Sequence, residues 1–395
     1  MFSARCEGET GMSFANQGRR LANATTLLTL LAQPLLAHAR EPGTEQEAHP
    51  AEGAPPETAA LASHDATSLP VDPLFADQDL LELRIEGPIR AVVRDRDPEP
   101  EDRPATMAWT PEEGDGGTLA IEIRARGKSR RLKEKCDFPP IRLDIPRKAA
   151  DGTLFEHQDK LKLVTHCTRL GSSTRTQFEW LWLEYYAYRV LNVLTEYSFR
   201  VRPLEVTYVP ERGKEATHPA FLIESEERLA RRLGLERNER PRIERNELVE
   251  LTNLMEVFNF FLGNTDFSFL VGTAGEVCCH NAKQLTDGDG HYLPIPYDFD
   301  QTGLLDKPDA IPAANVGIRD VTDRRYRGLC REPRILEDTL ARFRDKRSEI
   351  DGLLAQETFT LPDRRRRKAA KFIEEFWEIL DDPRKIEREF VDRCR

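Results

Sequence analysis

Four short segments in the first half of the chain alternate apolar and polar residues with a period of two. They are LLELRIEGPI, TLAIEIRARG, PIRLDIP and KLKLVTH, at 80–89, 118–127, 140–146 and 160–166. Alternation places successive side chains on opposite faces of a strand, one buried and one solvated. The pattern therefore predicts half-buried antiparallel strands. The acidic, proline-rich segment 94–105 predicts a long exposed loop between the first two.

A helical segment follows. The sequence TQFEWLWLEYYAYRVLNVLTEYS, at 176–198, is apolar on nearly every face, which predicts a helix that is packed on several sides. Glu184 lies inside this apolar surround. Because a buried carboxylate needs a cationic partner or loses its charge, Glu184 predicts an ion pair.

The order of the remaining elements predicts the fold class. Two more strands are expected at 202–210 and 218–225, a helical pattern resumes near Glu226, the segment 246–261 is amphipathic, and the tail beyond Arg334 is largely helical. Strands early and helices late indicate an α+β protein with two lobes. The predicted domains are a β-rich N-lobe with one long helix over 74–225 and a helical C-lobe over 226–395.

The N-terminus resembles an export signal. Two arginines precede an apolar run at Leu21–Leu36, and a small-x-small triplet ends at Ala39, so that 1–39 is predicted to be a signal peptide. Translation from Met12 would give a more ordinary length, and an uncleaved N-terminal anchor is the alternative. The segment 40–73 is rich in Glu, Ala, Pro and Thr and predicts a disordered linker. We therefore expect an exported protein, periplasmic or extracellular, with no integral membrane span after cleavage.

The charge balance narrows the choice of partners. The chain has 395 residues, a formal net charge of -11 and a pI near 5.4. This acidic balance argues against a nucleic-acid surface, because little excess of Lys and Arg is available to neutralise phosphates. The basic runs at 124–135 and 364–367 are either solvated faces or binding sites for a smaller anion.

Export also changes the interpretation of the cysteines. Cys6 falls in the predicted signal, which leaves six cysteines in an oxidising compartment, at positions 136, 167, 278, 279, 330 and 394. Six cysteines allow fifteen pairings, and the sequence does not choose among them. Joining the adjacent Cys278 and Cys279 to each other would be strained, so we expect each to pair elsewhere or to stay buried. Without a CxxC pair or a His cluster, a zinc site is not expected.

Candidate chemistry is concentrated in the second half of the chain. Asp266 follows an apolar helix that Gly263 is suited to end, Asn281 lies in HNAKQL, and Asp298 and Asp300 follow the apolar run YLPIP. Carboxylate and amide oxygens are the ligands that Mg²⁺ prefers, together with phosphate oxygens and water. Asp298 and Asp300 point the same way only if the strand continues through Phe299. Taken singly, an Asp after a strand is more often a cap or turn residue.

A lysine in the strand half is the matching cation. Lys160 and Lys162 share one face of the strand KLKLV, opposite Leu161 and Leu163. This face is either solvated or turned toward a ligand. Glu184 favours the second interpretation, because it needs a cation and Lys162 lies shortly before its helix.

Several motifs together resemble a known family. The segments are RARGKSRR, KLKLV, LEYYAYRVL, GNTDFS, HNAKQL and IPYDFDQTGLLD, at 124–131, 160–164, 183–191, 263–268, 280–285 and 295–306. They resemble the exported, kinase-like proteins related to the spore-coat kinase CotH, over about 81–331. The resemblance implies a bilobal protein-kinase-like fold, with a β-rich N-lobe and a mainly helical C-lobe.

The resemblance also implies roles for single residues. Asp266 would be the catalytic base, and Asn281 and Asp298, with Asp300 as a further candidate, would bind Mg²⁺ or Mn²⁺. Lys162 would contact the α/β-phosphates of ATP and pair with Glu184. By analogy alone, the strand FLIES would supply a purine-binding hinge, with Glu224 near it.

Three hypotheses of function follow. The first is an exported phosphotransferase that moves the γ-phosphoryl group of ATP to an unknown hydroxyl acceptor, a protein or a glycan. The second is a catalytically inactive, kinase-like envelope binding protein. The third is a hydrolase that uses Asp298 and Asp300 as acid and base. It would leave Lys162, Glu184 and Asn281 without a role.

Overall fold

The fold was obtained as a computed structural model, which describes residues 72–111, 115–167, 175–238, 247–272, 278–314, 316–356, 358 and 361–395. The predicted signal peptide and the predicted linker up to residue 71 lie outside the described residues. The described residues belong to one unit by the density of their internal contacts. The lobe boundary expected near Ser225 stays a prediction.

The strands in chain order are β1 Leu81–Gly87, β2 Arg103–Thr110, β3 Gly117–Ala125, β4 Ile141–Asp144, β5 Lys160–Val164, β6 Val201–Pro210, β7 Ala216–Ile223, β8 Glu236–Arg237, β9 Ala282–Thr286 and β10 Tyr292–Pro296. The helices are α1 Ile89–Arg94, α2 Arg147–Ala150, α3 Arg175–Leu194, α4 Glu226–Arg232, α5 Val249–Leu262, α6 Pro333–Leu353, α7 Asp363–Leu380 and α8 Pro383–Ile386. Strands and long helices thus occur where the alternating and helical patterns predict them.

Seven of the strands close into a barrel in the order β1-β2-β3-β4-β5-β7-β6. Six neighbouring pairs are antiparallel, and closure comes from a parallel pairing of β1 with β6, in which Leu81 lies opposite Leu204. The predicted α+β, bilobal protein-kinase-like fold with a β-rich N-lobe is therefore wrong. Alternation reports which face of a strand is buried, but it does not report whether the two edge strands of a sheet pair with each other.

The barrel interior is filled by the apolar positions of the alternating strands. In β1, buried and exposed residues alternate from Leu81 onward, as the sequence pattern requires. The buried set includes Leu83, Ile85, Met107, Trp109, Ile121, Leu143, Leu161, Leu163, Val206, Tyr208 and Leu222. Side chains from every strand of the barrel thus form one apolar core, which holds β5 and β7 in fixed register.

Strand β2 is missing from the sequence prediction. It begins at Arg103, inside the segment that predicts an exposed loop, and it pairs with both β1 and β3. Its first half has no buried residue, and only Met107 and Trp109 are buried. Because a half-exposed strand that carries Pro104 has weak alternation, the pattern does not reveal it.

A second core lies around the helices. Helix α3 packs against β6, β7 and α6, while α5 packs against α6 and β10. Nearly every residue of α5 is buried, and α5 ends at Gly263, which has the left-handed φ of 63°. A Cβ on Gly263 would lie 2.9 Å from the ring of Phe372. Glycine is therefore required both for the backbone conformation and for the space.

Three disulfides join the six cysteines outside the predicted signal: Cys136–Cys167, Cys278–Cys279 and Cys330–Cys394. The expectation that Cys278 and Cys279 avoid each other is wrong. The fold brings the Cα atoms of Cys136 and Cys167, and those of Cys330 and Cys394, to 4.8 Å. These separations lie within the range that disulfide geometry requires.

No helix among the described residues has both the length and the apolar character that a membrane span requires.

Candidate functional site

Asp266 is held on the loop that follows α5. Its backbone N–H donates to Oδ1 of Asn264 at 2.9 Å, and Nδ2 of Asn264 donates to Oδ1 of Asn259 at 2.7 Å. Asn259 and Asn264 are both buried. The side chain of Asp266 is thereby presented from a fixed backbone and remains partly open to solvent.

The segment before β9 places two side chains on the Asp266 carboxylate. A short antiparallel bridge joins Ser268 to His280, and it carries the next residue, Asn281, to the loop. Nε2 of His280 lies 2.8 Å from Oδ1 of Asp266, and Nδ2 of Asn281 donates to Oδ2 of Asp266 at 3.0 Å. Since the amide nitrogen faces Asp266, the amide oxygen of Asn281 is the atom that suits a cation.

Asp298 and Asp300 come directly after β10, in a segment that lies beside Asn281. The backbone N–H of Tyr297 donates to the carbonyl of Asn281 at 3.1 Å, which joins the two segments. The strand ends at Pro296, and Asp298 has a left-handed φ of 63°, so strand alternation does not set the two side-chain directions. Both carboxylates nevertheless reach one guanidinium group, as described below.

Packing fixes the position of these two carboxylates. Phe299, between them in sequence, is fully buried, and its ring centroid lies 4.7 Å from that of Tyr188 and 5.4 Å from that of Phe258. The hydroxyl oxygen of Tyr188 accepts a hydrogen bond from the backbone N–H of Asp298 at 2.9 Å. We refer to Asp266, Asn281, Asp298 and Asp300 as the carboxylate face.

Glu184 pairs with Arg130 and not with Lys162. Nη2 of Arg130 donates to Oε2 of Glu184 at 3.0 Å. The ion pair that the sequence predicts for Glu184 is present. The predicted partner, Lys162, is wrong. Arg130 follows the turn after β3, and this turn brings its guanidinium across to α3. Burial raises the pKa of Glu184, and Arg130 opposes the rise.

Arg130 also binds both aspartates that follow β10. Its Nε donates to Oδ2 of Asp300 at 3.0 Å, and its Nη2 lies 3.4 Å from Oδ1 of Asp298. Nζ of Lys307 lies 3.2 Å from the same Asp300 oxygen. One guanidinium is therefore shared by three carboxylates. Hydrogen bonds between such charged groups are stronger than those between neutral groups.

The two aspartates differ in acidity. Burial acts to raise the pKa of Asp300, but Arg130 and Lys307 outweigh it and hold this pKa at about 2. Enclosure and repulsion from Asp300 raise the pKa of Asp298, while Arg130 opposes the rise. Solvent reaches 44% of the Asp298 side chain, which leaves this carboxylate open to a ligand.

Lys162, on β5, lines the same cavity as Asp298. Its Nζ is 5.6 Å from the ring centroid of Phe199 and 5.1 Å from that of Tyr297. Burial, together with repulsion from Arg126 and Lys283, lowers the pKa of Lys162 to about 7. Within the described part of the chain, the ammonium group has no carboxylate within ion-pair distance. Such a cation is suited to receive an anionic ligand.

Glu224 is not brought to the site. It lies just after β7, and its carboxylate accepts from Nε and Nη2 of Arg232 at 3.1 and 3.0 Å. Its backbone N–H donates to the carbonyl of Arg200 at 2.9 Å. The carboxylate and the backbone N–H of Glu224 are thus both hydrogen-bonded to other residues of the protein. Ile223, one residue earlier, is the one that lines the site.

Three cavities meet around the turn after β3. The cavity between Lys162, Glu184 and Asp298 has a volume of about 50 Å³, and Arg126, Arg130 and Tyr188 also line it. A second cavity of about 330 Å³ lies beyond Arg130 and Glu184. A third, of about 500 Å³, lies on the outer side of Arg126. We refer to Arg126, Arg130 and Lys162 as the cationic face.

Another acidic cluster lies in the turn between β9 and β10. One ligand atom from each of Asp287, Asp289 and His291 lies within 4.8 Å of the others. Asp287 accepts hydrogen bonds from the backbone N–H groups of Asp289 and His291, and Nδ1 of His291 lies 2.8 Å from its second oxygen. These hydrogen bonds within the turn explain why the three side chains lie close together.

Sequence reasoning missed two site residues. Arg130 is hidden among the basic residues at 124–135, and only the demand of Glu184 for a cation pointed toward it. Nothing in the sequence marks Tyr188 as a site residue except its position one helical turn after Glu184. His280 and His291 each have a ring nitrogen within hydrogen-bond distance of an aspartate, whereas both ring nitrogens of His166 are buried without a partner among the described residues.

Comparisons with known proteins identify no family. No protein-family model matches the chain. No curated protein matches it either. Among solved structures, the chain is similar to the proinflammatory kinase CtkA of Helicobacter pylori, with a TM-score of 0.36 and 13% identity, over 71% of this chain and 96% of that one. A likeness of this degree supports no argument about fold or function, and membership of the CotH-related family stays a prediction.

Proposed function

We propose that the protein is a phosphotransferase that moves the γ-phosphoryl group of a nucleoside triphosphate to a hydroxyl acceptor, with Mg²⁺ or Mn²⁺. The proposal depends on one observation: hydrogen bonds join Asp266 to Asn281 and Asn281 to the residue before Asp298, and Asp298 lines the same narrow cavity as Lys162. The sequence resemblance to CotH-related proteins points to the same reaction. ATP is the donor that this resemblance implies.

The carboxylate face fits a hard divalent cation. Asp298 offers a carboxylate that is partly open to solvent, and Asn281 offers a neutral amide oxygen beside it. Mg²⁺ is usually held by one or two carboxylates, with phosphate oxygens and water completing the shell. When bound, the cation would neutralise charge on the phosphates. Asp300 is a further ligand once its own cations are displaced.

The cationic face fits the phosphates. Lys162 and Arg126 line the same cavity as Asp298, and Lys162 has no carboxylate partner within the described part of the chain. A triphosphate placed here would restore the charge that burial removes from Lys162. Lysine is a common phosphate ligand, because its ammonium acts as a point charge.

Asp266 is the proposed base. His280 and Asn281 hold its carboxylate, and the partly open side chain leaves room for an acceptor hydroxyl. In the transfer step, the acceptor oxygen forms a bond to the γ-phosphorus as the bond to the β,γ-bridging oxygen breaks. The hydroxyl proton goes to Asp266, and the nucleoside diphosphate leaves. Catalysis is then mainly positioning and charge neutralisation.

The hydrolase hypothesis lacks support in this geometry. Asp300 is bound by Arg130 and Lys307, and its side chain is mostly buried. A glycosidase pair needs two carboxyl groups that reach the substrate from opposite sides. Asp298 and Asp300 instead converge on one guanidinium.

Nucleotide-dependent thermal stabilisation tests the proposal. Millimolar ATP with Mn²⁺ should raise the Tm of the protein by roughly 2 °C or more, because a ligand that binds only the folded state adds stability. Asp298→Ala should abolish this shift, whereas Asp289→Ala, in the turn between β9 and β10, should preserve it. An unchanged Tm in both the unaltered protein and Asp298→Ala would refute nucleotide binding.

Transfer itself needs a separate measurement. With γ-labelled ATP, Asp266→Asn should lose at least about a hundredfold in label transfer or ATP hydrolysis, since it removes a general base. Its Mn²⁺-dependent Tm shift should persist. A shift without any turnover in the unaltered protein would favour the inactive binding protein. Export and the identity of the acceptor are parts of this proposal that need their own assays.

A further inference from the structure

Arg130 occupies the position at which the proposed function needs a cation. Its guanidinium is bound by Glu184 at 3.0 Å, Asp300 at 2.9 Å and Asp298 at 3.4 Å. Asp298 is also the main proposed metal ligand. A divalent ion on Asp298 and the Arg130 guanidinium would repel each other at this distance, so the two compete for the same carboxylates.

The cavity at the carboxylates is too small for a nucleotide in this arrangement. It measures about 50 Å³, whereas sites for ligands of drug size measure roughly 300–1,000 Å³. Arg130 and Glu184 line both this cavity and the neighbouring one of about 330 Å³. They therefore form the wall between the two, and displacement of Arg130 would join them.

The backbone around Arg130 is anchored on either side of a short turn. The N–H of Arg126 donates to the carbonyl of Pro140 at 2.8 Å, and the carbonyl of Arg131 accepts from Nη1 of Arg96 at 2.6 Å. Gly127 between them has a φ of 94°, which glycine adopts readily. The Arg130 side chain can thus change its position while the neighbouring strands keep theirs.

We propose that Arg130 is an internal counter-cation that holds the site closed, and that a divalent cation with its nucleotide displaces it. This inference rests on the proposed function. Displaced toward the larger cavities, the Arg130 guanidinium stays close enough to pair with a phosphate, a geometry that it serves well. Glu184, Asp298 and Asp300 stay fixed and exchange one cation for another.

A manganese titration followed by electron paramagnetic resonance tests the proposal, because it counts free Mn²⁺ without any turnover. In the presence of a nonhydrolysable ATP analogue, Arg130→Gln should bind Mn²⁺ at least about tenfold more tightly than the unaltered protein, since it removes the competing charge. Lys133→Gln removes one positive charge from an exposed neighbour and should leave the affinity unchanged. Asp298→Asn in the Arg130→Gln background should abolish the gain.

The outcomes separate this proposal from the proposed function. If Arg130→Gln and the unaltered protein bind Mn²⁺ equally, and Asp298→Asn abolishes both, the metal site stands and the competition is refuted. If neither protein binds Mn²⁺, the metal site fails and the competition fails with it.

A second variant covers the case in which Arg130→Gln does not fold. Arg130→Lys keeps the charge but has a compact head that cannot bridge three carboxylates, so its Mn²⁺ affinity should lie about two- to fivefold above that of the unaltered protein. An affinity equal to or below the unaltered value would contradict the proposal.

Discussion

Asp298 of the carboxylate face lines one cavity with the three residues of the cationic face, but the two faces are held in different ways. Asp298 and Asp300 flank a fully buried Phe299, and Asp266 follows a helix whose last turns are buried. Arg130, by contrast, stands on a turn whose neighbours Lys128 and Ser129 are exposed, and carboxylates hold its guanidinium. Packing therefore fixes the carboxylates, whereas charge holds Arg130.

This difference indicates which side of the site can respond to a ligand. Packed side chains have few alternative positions, whereas an ion pair can exchange partners when a competing charge arrives. The carboxylates are therefore expected to be preorganised, and the arginine is expected to move. A site that stabilises charge works best when its acceptors are already in place.

The largest effect is expected from removing the packing. Phe299→Ala should lower the free energy of unfolding by about 3–5 kcal/mol, since it empties a fully buried aromatic position. It should also weaken Mn²⁺ binding, because both aspartates lose their support. Leu132→Ala is the control on the cationic side. Leu132 is 43% exposed, and its loss should cost at most about 0.5 kcal/mol in urea unfolding. Equal costs for the two variants would break the comparison.

A smaller effect is expected from Tyr188. Tyr188→Phe leaves the backbone N–H of Asp298 without its acceptor, which should cost about 1–3 kcal/mol and weaken Mn²⁺ binding several-fold. Tyr185→Phe is a matched control on the same helix, because that hydroxyl donates to Gln78 instead. The control should lose stability but keep its Mn²⁺ affinity. A loss of Mn²⁺ affinity in both variants would indicate a general effect of α3.

The smallest effect concerns a proton on Lys162. The pKa of Lys162 is lowered from 10.5 to about 7, so at pH 8 the amine is mostly neutral. An anion beside it raises this pKa, and nucleotide binding at pH 8 should therefore take up as much as about one proton. At pH 6 the amine is already charged, and this uptake should vanish. Calorimetry in buffers of different ionisation enthalpy measures it.

The variant Lys162→Met isolates the contribution of this amine from protons exchanged by the nucleotide. The difference in proton uptake between the unaltered protein and Lys162→Met should be positive at pH 8 and near zero at pH 6. A difference in proton uptake that is the same at pH 8 and pH 6 would show that Lys162 does not change its charge on nucleotide binding.

The strands could be predicted because alternation is a local property. The segments 118–127, 140–146 and 160–166 each carry enough pattern to place a strand. The pairing of Leu81 with Leu204 that closes the barrel joins residues far apart in sequence. Nothing in either segment indicates this pairing, so the closure of the barrel could not be predicted from the sequence.

The site shows the same limit. Asp266 and Asp298 could be selected because each follows an apolar element, and Asn281 because its amide oxygen suits a divalent cation; the fold links the three. The partner of Glu184 could not be selected in this way. Lys162 and Arg130 are both cations near α3, and the choice depends on the turn after β3, which places Arg130 across the cleft.

The most direct test of the central claim is a crystal structure with Mn²⁺ and a nonhydrolysable ATP analogue, in which anomalous scattering locates the ion. The account predicts an anomalous peak bound by a carboxylate oxygen of Asp298 and the amide oxygen of Asn281, with Lys162 on the phosphates. A peak only at Asp287, Asp289 and His291, or a nucleotide bound away from Lys162, would contradict it.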